Sequence, residues 1–197
     1  NEYLNRAEQY FFHGDYNNAV KYYSKAAKLW KTSDKYRLLA DIHIFTSLSY
    51  KELGKNKKFF KEMQKVLEYF EKDGDKERVA EQYSYLGLYF LTLNSDYKKS
   101  IKNYNTSLEL YQELQDTAKI AKQFSVMALT TKMHGYDTDN DKYFQESIDY
   151  SQTALEIYGL INDSLHCAKE SEEIGNIYRL SLSNYNKAIE YLAAAHE

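Results

Sequence analysis

The sequence predicts an all-α protein built as a solenoid of about five helix-turn-helix units, and three observations carry that prediction. Proline is absent and glycine occurs 7 times in 197 residues, too few of either for a sheet-rich domain with many tight turns. Apolar residues fall at helical spacing: Val79, Tyr83, Leu86, Phe90 and Leu93 form one stripe, and Ile101, Tyr104, Leu108 and Tyr111 form the next. Only Asn94-Ser95-Asp96 separates the two stripes, a short polar break suited to an antiparallel helix pair. Finally, the pair recurs. Asp34, Asp75, Asp116 and Asp163 follow one another at intervals of 41, 41 and 47 residues, which divides a single solenoid into repeats over 1–33, 34–74, 75–115, 116–162 and 163–197.

Each element has a local reason. The four aspartates are expected to open the first helices of repeats two to five, where a carboxylate accepts from the unpaired amides of the first turn. Ala7, Ser47, Gly87, Ala128 and Gly175 share one register on the first helices, and all are small, which lets the paired helix approach closely. Tyr10, Tyr50, Phe90 and Tyr178 follow three residues later and are expected to fill the gap between pairs; Thr131 breaks that aromatic register. On the second helices Ala19, Phe59, Ser100, Ser147 and Ala188 form the matching register, with Phe59 and Ser147 as its irregular members. The long fourth repeat has a visible cause, the polar insertion Tyr136-Asp137-Thr138-Asp139-Asn140-Asp141, expected to be a solvated loop.

These residues resemble a known family. The segment from Gly14-Asp15-Tyr16 through Ala26 looks like the middle of a tetratricopeptide repeat. Leu86-Gly87 and Ile174-Gly175-Asn176-Ile177-Tyr178 look like its first-helix signature, and Asn184-Tyr185-Asn186-Lys187-Ala188 like its second. The resemblance covers essentially the whole chain and implies a right-handed α-solenoid of the long-period, roughly 40-residue type. Asp15-Tyr16-Asn17-Asn18-Ala19 through Ala26, with Ser33-Asp34 and Ala40-Asp41-Ile42-His43-Ile44, is also similar to the repeat region of Rap-type regulators. That resemblance implies bacterial signalling proteins whose repeats bind short pheromone peptides in quorum sensing. The separate N-terminal bundle of those regulators does not precede Asn1, so no phosphatase activity is expected of this segment.

Composition and motifs narrow the chemistry. Lys plus Arg is 26 against 29 for Asp plus Glu, a net charge of −3, which argues against direct nucleic-acid binding. A single cysteine, Cys167, excludes an internal disulfide and a cysteine-built zinc site. No apolar run is long enough to span a membrane, and no signal segment follows Asn1, so the cytoplasm is the expected compartment. None of the five histidines forms an i, i+4 metal pair, and His43 reads as a hydrogen-bonded core residue. His166 and Cys167 are adjacent on a helix and diverge by about 100°, a poor nucleophile–base pair. Asp137, Asp139 and Asp141 imitate the start of a calcium loop, but Lys142 stands where glycine is needed and Ile148 where the bidentate glutamate belongs. No enzyme, cofactor or metal site is expected.

Binding is therefore expected on the first helices, which line the concave groove of such a solenoid. Family geometry implies Asp41, Glu52, Glu81 and Ser84 in repeats two and three. It implies Lys122, Ser125 and Lys132 in repeat four, and Lys169, Glu172, Asn176 and Arg179 in repeat five. Acidic residues dominate the early repeats and basic ones the later, so an extended peptide is expected with its acidic end toward repeats four and five. Asn176 would clamp the peptide backbone and Arg179 its carboxylate. The alternative is an adaptor that docks a folded protein. The C-terminal Ala193-Ala194-Ala195-His196-Glu197 has no polar cap, so a further helix or a homodimer contact is expected to cover that end.

Overall fold

The computed structural model describes residues 2–195, with Asn94 described in its backbone alone. Among the described residues there are ten α-helices and no strand. They run α1 Glu2–Phe12, α2 Tyr16–Trp30, α3 Tyr36–Glu52, α4 Asn56–Asp73, α5 Lys76–Asn94, α6 Tyr97–Glu113, α7 Thr117–Thr138, α8 Asp141–Leu160, α9 Ser164–Leu180 and α10 Tyr185–Ala194. The helices gather into two compact units, residues 1–82 and 83–197, with the division inside α5.

The caps follow the sequence with one exception. Asp75, Asp116 and Asp163 each accept from the amide three residues on, at 3.1, 3.0 and 3.2 Å. Asp15, Asp96, Asn140 and Asn184 do the same work for the second helices α2, α6, α8 and α10. Asp34 does not cap: α3 starts one residue later than expected, its N-cap is Lys35, and Lys35 makes no side-chain cap bond. Lys55, at the start of α4, makes none either. A residue in the left-handed region closes nearly every turn. Gly14, Gly54 and Gly74 take it without a side-chain penalty, whereas Ser95, Gln115, Asp139, Asn162 and Ser183 adopt it without glycine.

In the first unit, Ala7, Ala19, Tyr23, Ala26 and Ile42 form a buried cluster. The Tyr23 and Phe45 rings stack at 5.8 Å, and Phe11 meets Phe45 edge-on at 5.3 Å. Phe59, Met63, Val66 and Phe70 carry the buried stripe of α4. In the second unit, α6 and α7 meet through Tyr104, Leu108 and Met127, α7 and α8 through Ala121, Ala154 and Tyr158, and α8 to α10 through Phe144, Ile148, Ile174, Ile177 and Ala188.

The small-residue register is a true contact point. A methyl group added at Gly87 would lie 2.7 Å from Cε1 of Tyr104, and one at Gly175 would lie 2.8 Å from Cγ of Leu192. Serines on the second helices serve the same approach. Ser100 donates to the Gly87 carbonyl at 2.9 Å and Ser147 to the Ala128 carbonyl at 2.7 Å, so a hydroxyl takes the place of a methyl at the crossing. Tyr50 and Phe90, by contrast, are only half-buried. A lysine from the first turn of the following helix sits over each ring, Lys58 on Tyr50 and Lys99 on Phe90, both at 5.4 Å; Lys187 covers the more buried Tyr178 at 4.9 Å.

The polar insertion of repeat four is not a loop. Residues 136–138 extend α7, Asp139 caps it in the left-handed region, and Asn140 opens α8 at once. The Asp137 carboxylate accepts from the Tyr97 hydroxyl, so one of the calcium-loop look-alike carboxylates is already engaged. Tyr185 and Ile189 are exposed on α10, at the end where the sequence lacks a polar cap; His196 and Glu197 lie outside the described residues.

Gly87→Ala is expected to destabilise the protein by about 1–3 kcal/mol, because Tyr104 is buried and cannot yield to the new methyl. Gly159→Ala, where nothing lies within 4 Å, should instead stabilise α8 by about 0.5 kcal/mol. Urea denaturation of both variants beside the wild type tests the opposite signs.

Candidate functional site

In the second unit a cleft of about 230 Å³ opens between the first helices α7 and α9, with Ser147 and Ser151 of α8 at its base. Ser125 and Lys132 line it, as expected of that face. Lys132 does not stand as a lone positive charge, because its ammonium is paired with the Glu173 carboxylate of α9. Glu170 lies one turn earlier on α9, lines the same cleft and is 8 % exposed. Val126, Leu129 and Ile177 supply the apolar walls. Glu170 and Glu173 thus set two carboxylates against one ammonium in the part of the chain expected to be basic. Neither stands out in the sequence.

The other expected residues are not gathered into this cleft. Lys122, Lys169 and Glu172 line α7 and α9 outside it. Arg179 donates to the Asn176 side-chain carbonyl at 3.0 Å, so these two satisfy each other across one helical turn. Ser84 is half-buried on α5. In the first unit Asp41 is half-buried, and burial pushes its carboxyl above the ordinary range against the pull of Arg78 and Arg37. Glu81 sits 3.8 Å from Arg78, and Glu52 is exposed at the end of α3.

The first unit carries a second cleft, of about 360 Å³, walled by the second helices α2 and α4 with α3 as its floor. His43 lies here, buried, with Nδ1 at 2.6 Å from Glu62 Oε2 and its ring stacked on Tyr69 at 5.4 Å. Lys65 donates to both Glu62 oxygens at 2.9 and 3.2 Å. Burial alone would raise the Glu62 carboxyl, but the hydrogen bonds from His43 and Lys65 outweigh it and hold it below its ordinary value. An ionised carboxylate only accepts, so the proton of this pair belongs to His43 Nδ1. The core-histidine expectation for His43 holds; its acidic partner, 19 residues away, has no mark of neighbourhood in the sequence.

Comparison with known proteins places this architecture. Residues 3–29 match the tetratricopeptide repeat model. No curated protein matches the chain by sequence. Several solved structures match it in fold. BtubC from P. vanneervenii aligns over 96% of this chain and 75% of its own, at 19% identity and a TM-score of 0.69. A Pyrococcus horikoshii signal-transduction ATPase with a tetratricopeptide repeat sensor aligns over 98% of this chain but 28% of its own, at 21% identity and a TM-score of 0.68. A Rap protein complexed with Competence and Sporulation Factor aligns over 99% of this chain and 54% of its own, at 15% identity and a TM-score of 0.55. The fold is a tetratricopeptide-type α-solenoid. Among the described residues the ten helices form five helix-turn-helix pairs, in line with the recurring aspartates.

Within this tetratricopeptide-type frame His134, His166 and Cys167 are held in local contacts. His166 Nδ1 lies 2.8 Å from Asp163 and its ring stacks on Tyr158 at 4.8 Å. The Cys167 thiol points at the Leu155 carbonyl, and burial, then Asp163, pushes it above its ordinary value, away from thiolate chemistry. His134 is sandwiched between Tyr97 at 4.6 Å and Tyr143 at 3.8 Å. Among the described residues, no group of three His, Cys, Asp or Glu side chains is placed to hold a metal, and no helix is long and apolar enough to cross a membrane.

The Glu62 carboxyl is depressed in the folded state, so its contribution to stability is complete above its unfolded value of about 4.5 and is lost as pH falls through the lower folded value. Glu62→Gln should therefore cost about 1–2 kcal/mol at neutral pH, a gap that narrows below pH 4.5. Denaturant titrations of both proteins across that range measure it. A gap independent of pH would show that Glu62 is not ionised against His43 and Lys65.

Proposed function

We propose that the chain is a peptide-binding scaffold without catalytic chemistry, acting as the sensor or interaction region of a signalling regulator of Rap-like type. The observation that carries the reading is the pair of carboxylates, Glu170 and Glu173, set against the single ammonium of Lys132 in the cleft between α7 and α9. A peptide N–H, ammonium or guanidinium entering the cleft would give these carboxylates a donor beyond Lys132. Val126, Leu129 and Ile177 would receive the apolar part of the same side chain. The likeness in fold to a Rap protein complexed with Competence and Sporulation Factor supports the same reading.

The proposed contacts in the second unit are Ser84, Lys122, Ser125, Lys132, Lys169, Glu172, Asn176 and Arg179, joined by Glu170 and Glu173. In the first unit they are Asp41, Glu52 and Glu81. A donor group of the peptide enters the cleft at Glu170, while a carboxylate on the same ligand would meet Lys169 and Arg179 outside it. A second reading, an adaptor for a folded protein, draws on Leu180, Tyr185 and Ile189, all more than 60 % exposed at the last helix pair.

A thermal-shift screen against pools of five- to ten-residue peptides separates the two. A peptide at 100 times its dissociation constant adds about 2.7 kcal/mol of stability, visible as a raised midpoint. Glu170→Gln should weaken a hit about tenfold. Hits that bind Glu170→Gln with unchanged affinity would remove the cleft from the proposal. A folded chain that answers no pool favours the adaptor.

A further inference from the structure

The cleft between α2 and α4 sits on the side walled by second helices, apart from the residues proposed for peptide binding, and one pair of positions creates it. Four residues before the small first-helix register stand Tyr3, His43 and Phe124 in repeats one, two and four; three residues after the second-helix register stand Tyr22, Glu62 and Tyr150. In repeat one these positions hold a ring pair, Tyr3 with Tyr22 at 6.4 Å, and in repeat four another, Phe124 with Tyr150 at 6.3 Å. Repeat two holds His43 and Glu62 in their place, a hydrogen-bonded acid–base pair at the wall of an open cleft. Repeats three and five hold Tyr83 with Asn103 and Ser171 with Tyr191 at these positions, so repeat two alone sets an acid–base pair there with no tyrosine or phenylalanine.

The other polar groups in the cleft point one way. Lys28 and Lys31 reach it from α2 and its end and Lys65 from α4, so three ammonium groups face the single carboxylate of Glu62. That carboxylate is already occupied by His43 and Lys65. Tyr23 also lines the cleft, while its hydroxyl is fully buried in the core of the first unit, within the influence of the Glu8 carboxylate. The volume, about 360 Å³, lies within the range of small-ligand sites.

We propose that this cleft binds an oxyanion, a phosphate or carboxylate group, held by the ammonium groups of Lys28 and Lys31. The His43–Glu62–Lys65 array fixes the inner wall. Glu62 keeps His43 in one tautomer and holds the Lys65 ammonium in place, so the anion meets a preset surface rather than three loose lysines. A carboxylate or phosphate accepts from both ammonium groups.

The test titrates the whole chain, with labelled histidine, against inorganic phosphate and separately against hexaglutamate, at fixed pH and with ionic strength balanced by sodium chloride. The imidazole resonances of His43 are expected to move saturably. A response to phosphate identifies a free small anion as the source, and a response to hexaglutamate alone identifies an acidic side chain; either supports an oxyanion site. Calorimetry then compares variants. Lys28→Ala with Lys31→Ala should weaken binding at least tenfold. His43→Phe with Glu62→Tyr rebuilds the ring pair of repeat four and should leave a folded protein, with an equal or higher midpoint, that binds neither probe. No saturable His43 response to either probe would overturn the proposal, as would unchanged affinity in the double lysine variant.

Discussion

The close crossing of the two helices in each pair is the constraint on which everything else rests. At Gly87 there is no room for a single carbon, and the ring of Tyr104 occupies the space that a side chain would need. Ala7, Ser47, Ala128 and Gly175 mark the same crossing in the other pairs, and all of them are buried. Facing them, the second helix must present something small, or something polar with its partner built in. Ser100 and Ser147 take the second course by donating to the carbonyls of Gly87 and Ala128. Repeat two takes a third: Ser47 meets the Met63 sulfur at 3.3 Å while Phe59 fills its own register position. Thioether and ring adapt to a gap that a branched side chain would not fit.

Much of this is legible in the sequence because it is local or periodic. A cap three residues from its amide, a small residue at steps of 40, 40, 41 and 47 and a stripe stepping by three and four leave marks that survive without coordinates. Asp34 misleads because the residue type is right and the helix begins one position later. The insertion of repeat four misleads because its polarity suggests a loop, when Thr138 and its neighbours simply lengthen α7 by a turn. The site is less legible. Lys132 and Glu173 are 41 residues apart, and their pairing depends on how α7 and α9 are placed around α8, which no helical register specifies. His43 and Glu62 do leave a trace, as departures from the ring pairs of repeats one and four. The signal lies in comparing repeats at those two positions rather than in reading His43 alone.

The two clefts handle buried charge in opposite ways. Around Glu62 the protein supplies donors from α3 and α4, and the carboxylate stays ionised within its own unit. Around Glu170 the nearby ammonium of Lys132 is engaged by Glu173, so two carboxylates share one ammonium. The first arrangement balances its carboxylate within the cleft wall, and the second leaves a carboxylate in excess. In the first unit the Tyr23 hydroxyl is a buried donor left without a partner.

Repeat two is also the repeat whose helices both begin without a side-chain cap, at Lys35 and Lys55. Their first amides have only backbone geometry and water to satisfy them, whereas Asp15, Asp96, Asp116 and Asp163 close the corresponding ends elsewhere. Hydrogen exchange should therefore reach the opening turns of α3 and α4 first, through brief local fraying that leaves the rest of each helix in place. The repeat that opens first is thus the one that carries His43 and Glu62, and two missing carboxylates mark it.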